Sequence, residues 1–249
     1  MNHFFTSESV TEGHPDKLCD LISDSILDEA LKQDKNSRVA IETLAVNNTI
    51  VIAGQITSNA KINYEEIARN VVKSIGFDNE KTDMDYKTCK IITNITKQSE
   101  DIALGVDIGG AGDQGIMFGY ACVDTKEYMP YAIEKAHKLA ERLAYVRKQN
   151  IISYLRPDGK TQITVEYEKD RPKRIDTILV STQHLENIDL ETIRKDIIDY
   201  VVKPVIEKSM IDENTKILVN PTGRFVIGGP LRRYRFNWKE DNSRFLWRI

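Results

Sequence analysis

Cysteine is scarce in this sequence. The 249 residues hold three, Cys19, Cys89 and Cys122, far apart and with no Cys-x-x-Cys pair. An odd, scattered set argues against a disulfide frame or a tetrahedral zinc site, and it fits a reducing compartment, so a cytoplasmic location is expected. Charge of one sign is also lacking. Against 38 Asp and Glu stand 35 Lys and Arg, a formal net charge of −3. Such a balance provides no basic field for nucleic acid or an anionic membrane. No apolar run approaches the length of a membrane span. Met1–Glu8 shows no cationic segment followed by an apolar one, so no signal peptide is expected. What remains is an ordinary globular composition, 41% hydrophobic and 29% charged. The length suits one large domain or two smaller ones with a substantial core.

Chemistry first shows itself at Gly110-Ala111-Gly112-Asp113-Gln114-Gly115. Glycine has no Cβ, so a backbone rich in it can approach a ligand closely. The carboxylate and amide in its midst can coordinate a cation or fix a polar substrate. The spacing satisfies Gly-x-Gly-x-x-Gly, but a dinucleotide-binding unit needs a helix to follow. Here Ile116–Val123 follows, an apolar run without helical period that reads as a buried strand. A Rossmann domain is therefore disfavoured.

In chain order, residues 4–17 read as a polar loop closed by a helix start, with Pro15 suited to the first turn. Leu18, Leu21, Ile22, Ile26 and Ala30 continue at helical spacing. His14, Asp16 and Lys17 then crowd a helix N-terminus, which attracts phosphate; the plainer alternative makes Asp16 a dipole partner and Lys17 a solvated charge. Arg38–Val46 and Thr49–Thr57 alternate around Asn47-Asn48 as a tight hairpin. Within it Glu42 either faces solvent or is a carboxylate needing a cation. A helix over about Asn63–Ser74, with Ile67, Val71 and Ile75 on one face, should stop at Gly76. A strand over about Cys89–Ile95 leads into residues 98–112, which read as a flexible loop of the kind that serves as a lid.

Beyond the glycine motif, Tyr131–Arg147 has a helical period with Ile133, Ala136, Ala140, Leu143 and Val146 inward. Leu155–Lys160 reads as a turn opening a second hairpin, Thr161–Glu168 with Ile175–Gln183 around Lys169–Lys173. A helix from Leu190 to Ile206 follows, with Ile193, Ile197, Val201 and Val205 in register. The order of the first hairpin and its helix is repeated by the second. Two βββα-like units imply an α+β fold, mostly antiparallel sheets with helices on one face, duplicated within one chain.

Five stretches in order carry a resemblance: Phe5–Lys17 (FTSESVTEGHPDK), Gly110–Tyr120 (GAGDQGIMFGY), Leu155–Gln162 (LRPDGKTQ), Ile178–His184 (ILVSTQH) and Asn220–Pro230 (NPTGRFVIGGP). Together they resemble S-adenosylmethionine synthase (methionine adenosyltransferase) from about residue 3 to Leu231. The resemblance implies that methionine sulfur attacks C5′ of ATP and expels tripolyphosphate, which is cleaved to diphosphate and phosphate. It implies ATP and L-methionine as substrates, two Mg²⁺ per site, K⁺, and a homodimer that can pair into a dimer of dimers. By motif, His14 would bind phosphate and assist its departure, with Lys160 and Asp113 as its catalytic companions. Glu8, Asp158, Gly159, Lys160, Arg224 and Phe225 would meet the nucleotide, Gln98 would bind methionine, and Asp113 would contact the substrates. Asp16 would hold Mg²⁺ and Glu42 would hold K⁺. His3, His137 and His184 read as surface or satisfied core histidines. The domains expected are 1–97 (N-terminal), the loop 98–112, and 113–231 (central).

The sequence departs from the family in two places. Where the family has Gly-Glu-Ile-Thr, with a carboxylate that reads the methionine ammonium, this chain has Gly54-Gln55-Ile56-Thr57. An amide accepts a hydrogen bond but loses charge assistance, so Gln55 should weaken methionine binding. After Leu231 the family continues Gly-Asp-x-Gly-Leu-Thr-Gly-Arg-Lys and then adds a third repeat, whereas residues 232–249 share nothing with it. Codons permitted for this tail include a set in which deletion of the first base restores Gly-Asp-Thr-Gly-Leu-Thr-Gly-Arg-Lys-Ile-Ile-Val-Asp-Ser-Tyr-Gly-Gly. The tail is expected to be a frameshifted reading, and the 249-residue chain to have little activity. The alternative is a catalytically inactive fragment that still binds ATP or dimerises.

Overall fold

The computed structural model describes residues 2–79, 81–97, 118–232 and 235–236. They form two compact units, one made of Met1–His14 with Tyr120–Arg232, the other of Pro15–Gly119 with Arg233–Ile249. In chain order the elements are β1 (Asn2–Val10), α1 (Pro15–Gln33), β2 (Arg38–Val46), β3 (Thr49–Thr57), α2 (Tyr64–Ile75), β4 (Lys90–Thr96), α3 (Tyr131–Lys148), β5 (Leu155–Glu168), β6 (Arg171–His184), α4 (Leu190–Ile197), β7 (Lys216–Val219), α5 (Gly229–Arg232) and β8 (Arg235–Phe236). The expected α+β class holds, with helices on one face of each mostly antiparallel sheet.

The repeat has a different make-up from the expected βββα. Helix, hairpin, helix and a parallel strand recur as α1-β2-β3-α2-β4 and α3-β5-β6-α4-β7. In each unit the closing strand pairs parallel to the hairpin's second strand, β4 on β3 and β7 on β6. An extra strand lies antiparallel along the hairpin's first strand, β1 on β5 and the two-residue β8 on β2. The sheet orders are therefore β1-β5-β6-β7 and β4-β3-β2-β8. The segment read as a polar loop is largely β1, running from Asn2↔Glu168 to Val10↔Lys160 against β5. Its polar side chains suit a strand with one solvated face.

In the Pro15–Gly119 unit, Leu18, Cys19, Ile22 and Ile26 of α1 and Ala68, Val72 and Ile75 of α2 pack on Ile41, Ala45, Ile50 and Ile52. The α2 stripe is turned by one residue from the expected Ile67 and Val71, which flank it half-buried. Gly76 ends this helix in the left-handed region at φ 94°, where a glycine pays no Cβ penalty. The Asn47-Asn48 hairpin is as expected, with Asn47 at φ 51°. Gln55 lies opposite Ala40 and Glu42 opposite Ala53, so strand alternation places both on the face away from the helices.

In the other unit, Ala136, Leu139, Leu143 and Val146 of α3 pack on Ile163, Val165, Ile178 and Val180. Ala140 is buried as expected, but Ile133, expected inward, is only partly buried and outside this cluster, and Leu139 fills the stripe instead. The hairpin tip is shorter than expected: Lys169 and Asp170, at φ 52° and 59°, make a two-residue turn of the twist that matches strands. The helix expected to run evenly from Leu190 to Ile206 changes to a π-turn at Ile198–Val202. The extra residue brings both Val201 and Val202 into the core. Pro204, four residues after Tyr200, has no N–H to donate to it, and the Tyr200 carbonyl accepts from Arg142 Nε at 2.9 Å. Residues 118–123, expected as the end of a buried strand, have no strand structure, and Phe118, Tyr120 and Val123 are 82%, 71% and 79% exposed.

At the head of α3, Tyr131 Oη donates to Glu207 Oε2 at 2.7 Å and Lys135 Nζ donates to Oε1 at 2.6 Å. Partial burial pushes the Glu207 carboxyl up, but the Lys135 and Tyr131 hydrogen bonds outweigh it and hold it below its ordinary value. With the folded pKa below the unfolded one, its stabilisation is complete above the ordinary carboxylate value and is lost as pH falls through the folded value. Glu207→Gln should therefore flatten the acid limb of a melting-temperature profile below about pH 4. An acid limb as steep as the wild type's would contradict this.

Candidate active site

Two of the sequence motifs meet at one place in the Met1–His14/Tyr120–Arg232 unit. β5 begins irregularly: Leu155 is opposite His184, yet Gly159 is opposite Thr182. Four steps on β5 face two on β6, so the segment expected as a turn is a bulge inside the strand. Bulges of this kind re-aim side chains and are common beside active sites.

The Thr11–His14 turn rests on this bulge. Thr11 Oγ1 donates to Pro157 O at 2.7 Å and Thr11 N to Gly159 O at 3.0 Å. His14 N closes the turn on Thr11 O at 3.0 Å. A Cβ on Gly13 would come within 2.5 Å of the Pro157 backbone, so only glycine lets the chain lie so close. From the other side, Glu12 accepts from Arg147 at 2.5 Å and from Lys148 at 2.7 Å, both in the last turn of α3. His14 is buried at the end of this clamp.

Lys160, one residue past the bulge, reaches Glu8 of β1 at 3.1 Å, both side chains about one-third exposed. Asp158 points elsewhere. It is buried, and its Oδ2 accepts from Gly229 N at 2.8 Å, at the start of α5. Gly159 is wedged against Leu143, Ser181 and Thr11. Arg224 is more than half exposed and ion-paired with Glu186, whereas Phe225 is buried. Seven candidates, Glu8, His14, Asp158, Gly159, Lys160, Arg224 and Phe225, thus belong to one unit.

Asp16, Glu42 and Gln55 belong to the other unit. Asp16 is in the first turn of α1, and Glu42 is exposed on β2. Gln98, Asp113 and the glycine motif lie outside the described residues. Among the described residues no group of three or more His, Cys, Asp and Glu could hold a metal by itself. Mg²⁺ does not require such a group, because it keeps several waters and is commonly held by one or two carboxylates plus substrate phosphates. No described helix is long and apolar enough to cross a membrane.

Several supporting residues carried no role in the sequence. Glu12 lies inside a quoted motif, but its partners are 135 and 136 residues away. Gln183 and His184 were quoted without a function, although Gln183 Nε2 donates to Val226 O at 3.0 Å and its Oε1 accepts from Asp158 N at 3.3 Å. Asn220, at φ 44°, clasps the Thr182 backbone with both ends of its amide, at 2.8 and 3.0 Å. His3, expected as a surface or satisfied core histidine, is exposed and stacks on Tyr167 with ring centroids 5.2 Å apart.

The described residues thus form a duplicated α+β chain in which charged residues and glycines of two distant segments gather on one bulged strand. Residues 2–100 match the family model "S-adenosylmethionine synthetase, N-terminal domain", and residues 108–225 match "S-adenosylmethionine synthetase, central domain". The chain belongs to the S-adenosylmethionine synthetase family. It is 52% identical over 236 residues to the S-adenosylmethionine synthase of Desulfosudis oleivorans, covering 92% of this chain and 61% of that protein. To the enzymes of the same name from Brachyspira hyodysenteriae and Finegoldia magna it is 51% identical over 243 and 244 residues, each covering 92% of this chain and 62% of the relative. The chain thus spans about three-fifths of the length of the curated relatives it matches.

Proposed function

We propose that this chain carries the ATP and methionine residues of an S-adenosylmethionine synthase. The observation that supports this most is the seating of the Thr11–His14 turn on the Pro157–Gly159 bulge, which joins two segments far apart in sequence that the resemblance assigns to the nucleotide. A thioether is a neutral, weak nucleophile. Catalysis of its attack on C5′ rests on alignment and on stabilising the departing tripolyphosphate, without a general base. His14 would bind phosphate and assist departure, Lys160 would face the same anion, and Glu8 would position Lys160. Arg224 would exchange Glu186 for the nucleotide, with Phe225 and Gly159 shaping its site, while Asp158 would act through the backbone of Gly229. Gln98 and Asp113 would complete methionine and substrate binding.

Asp16 would hold one of the two Mg²⁺ and Glu42 the K⁺; the cations would neutralise charge on the phosphates. The partners proposed are a second copy of the chain, in a dimer that can pair into a dimer of dimers, and neither nucleic acid nor membrane. The site proposed is cytoplasmic. The sheet face bearing Ala40, Glu42, Gln55 and Ile92, on which no helix packs among the described residues, supports the homodimer. We further propose that residues 232–249 are a frameshifted reading, so that the 249-residue polypeptide turns over poorly. Sequencing the DNA across the codons for Pro230 to Tyr234 and the rest of the tail tests that point, and codons in which deletion of one base does not restore Gly-Asp-x-Gly-Leu-Thr-Gly-Arg-Lys overturn it. ATP affinity without product from the purified chain would favour the second reading, an inactive ATP-binding or dimerising fragment.

Gln55 offers a sharper test. In an active, frame-restored enzyme, Gln55→Glu should lower KM for methionine by about tenfold, the scale of a charge-assisted hydrogen bond gained over a neutral one. An unchanged KM would sink the assignment.

A further inference from the structure

We propose that His184, as the neutral Nδ1–H tautomer, is the positioning residue that sets the loop bearing Arg224 and Phe225. His184 closes β6 and is buried. Its Nδ1 lies 2.8 Å from Leu185 O, which can only accept, so Nδ1 carries the proton. Its Nε2 lies 3.1 Å from Phe225 N, which can only donate, so Nε2 carries none. The His184 backbone N–H in turn donates to Phe225 O at 3.0 Å. One residue therefore satisfies both backbone groups of Phe225, and its ring is fixed at both nitrogens.

The rest of the loop is held by neighbours of His184 on the same strand. Thr182 is clasped by Asn220, and Gln183 holds Val226. A Cβ on Gly228 would approach the Gln183 side chain to 2.6 Å, so the far end of the loop is packed tightly against it. Between these anchors lies Arg224, whose own side-chain partner is the exposed Glu186. The direction in which Arg224 leaves the fold is thus set by the Phe225 backbone, and the Phe225 backbone is set by His184. The importance of this for ATP rests on the proposed function; the hold on the loop does not.

Two amide replacements separate the ring's nitrogens. In His184→Gln the terminal oxygen can stand where Nε2 accepts from Phe225 N–H. In His184→Asn the shorter amide can donate to Leu185 O but leaves Phe225 N–H without its acceptor. The measurements are imidazole nitrogen NMR and Phe225 amide exchange on the 249-residue chain, together with calorimetric titration with MgATP. We expect the Nδ1–H signature in the wild type and at least tenfold faster Phe225 exchange in His184→Asn. Exchange within about threefold of wild type is expected in His184→Gln, with ATP affinity following the same order. An Nε2–H tautomer, or equal Phe225 exchange in both variants and wild type, overturns the proposal. If no form binds ATP, the nucleotide reading fails, and amide exchange still decides what His184 holds.

Discussion

Gly13→Ala is expected to destabilise the protein by about 3 kcal/mol, at the upper end of what overpacking costs. An added Cβ would stand 2.4 to 2.5 Å from the carbonyl carbon, Cβ and oxygen of Pro157. Two of these three atoms are backbone inside β5, so no flexible side chain can swing away. Either the bulge or the turn has to move, and moving the turn breaks the Thr11 bonds to Pro157 O and Gly159 O. Natural domains have only about 5–15 kcal/mol in hand. A melting-temperature drop of roughly 6–12 °C follows for a chain of this size. Gly223→Ala is the contrast: its Cβ would meet nothing within 4 Å, so any cost comes only from its φ of +94°. A Gly13→Ala protein that melts with the wild type would mean the turn does not rest on the strand as described.

The second large effect is on chemistry. Lys160→Met in an enzyme with the reading frame restored should lower kcat by about 100-fold, the cost of deleting one preorganised partner of a developing anion. Stability should barely change. The Lys160–Glu8 pair is about one-third exposed on both sides, and such pairs contribute about 0–1 kcal/mol. Lys160→Arg should keep much of the rate, because the positive charge survives on a longer side chain. A normal kcat in the Met variant would remove Lys160 from the phosphate site; a fall in melting temperature matching the fall in rate would recast it as structural.

The parts legible in the sequence were those with a local cause. The Asn47-Asn48 hairpin, the Gly76 stop and the α3 stripe from Ala136 to Val146 all follow from residues within a few positions of one another. What remained hidden depends on partners far along the chain. β1 looks like a polar loop because its strand character comes from β5, 150 or more residues later. The Leu155–Lys160 segment contains Pro157 and Gly159 and reads as a turn, but the sheet takes it in as a bulge. Ile198–Val202 follows the apolar pattern of a helix; the local signal against an even helix is Pro204, which has no N–H for the Tyr200 carbonyl. Among the site residues, charge and glycine marked out Lys160 and the Gly13–His14 turn. Glu12, Gln183 and His184 act on distant backbone or side chains, and no spacing rule reveals them.

The most direct test is an assay of S-adenosylmethionine formation from ATP and methionine, with Mg²⁺ and K⁺. It would compare the 249-residue chain with the product of the gene after removal of one base beyond the Leu231 codon. S-adenosylmethionine, phosphate and diphosphate are expected from the restored product, with loss of all three in its His14→Ala variant and little or none from the shorter chain. A restored product that makes no S-adenosylmethionine, or a His14→Ala variant that makes it at the full rate, would contradict the account.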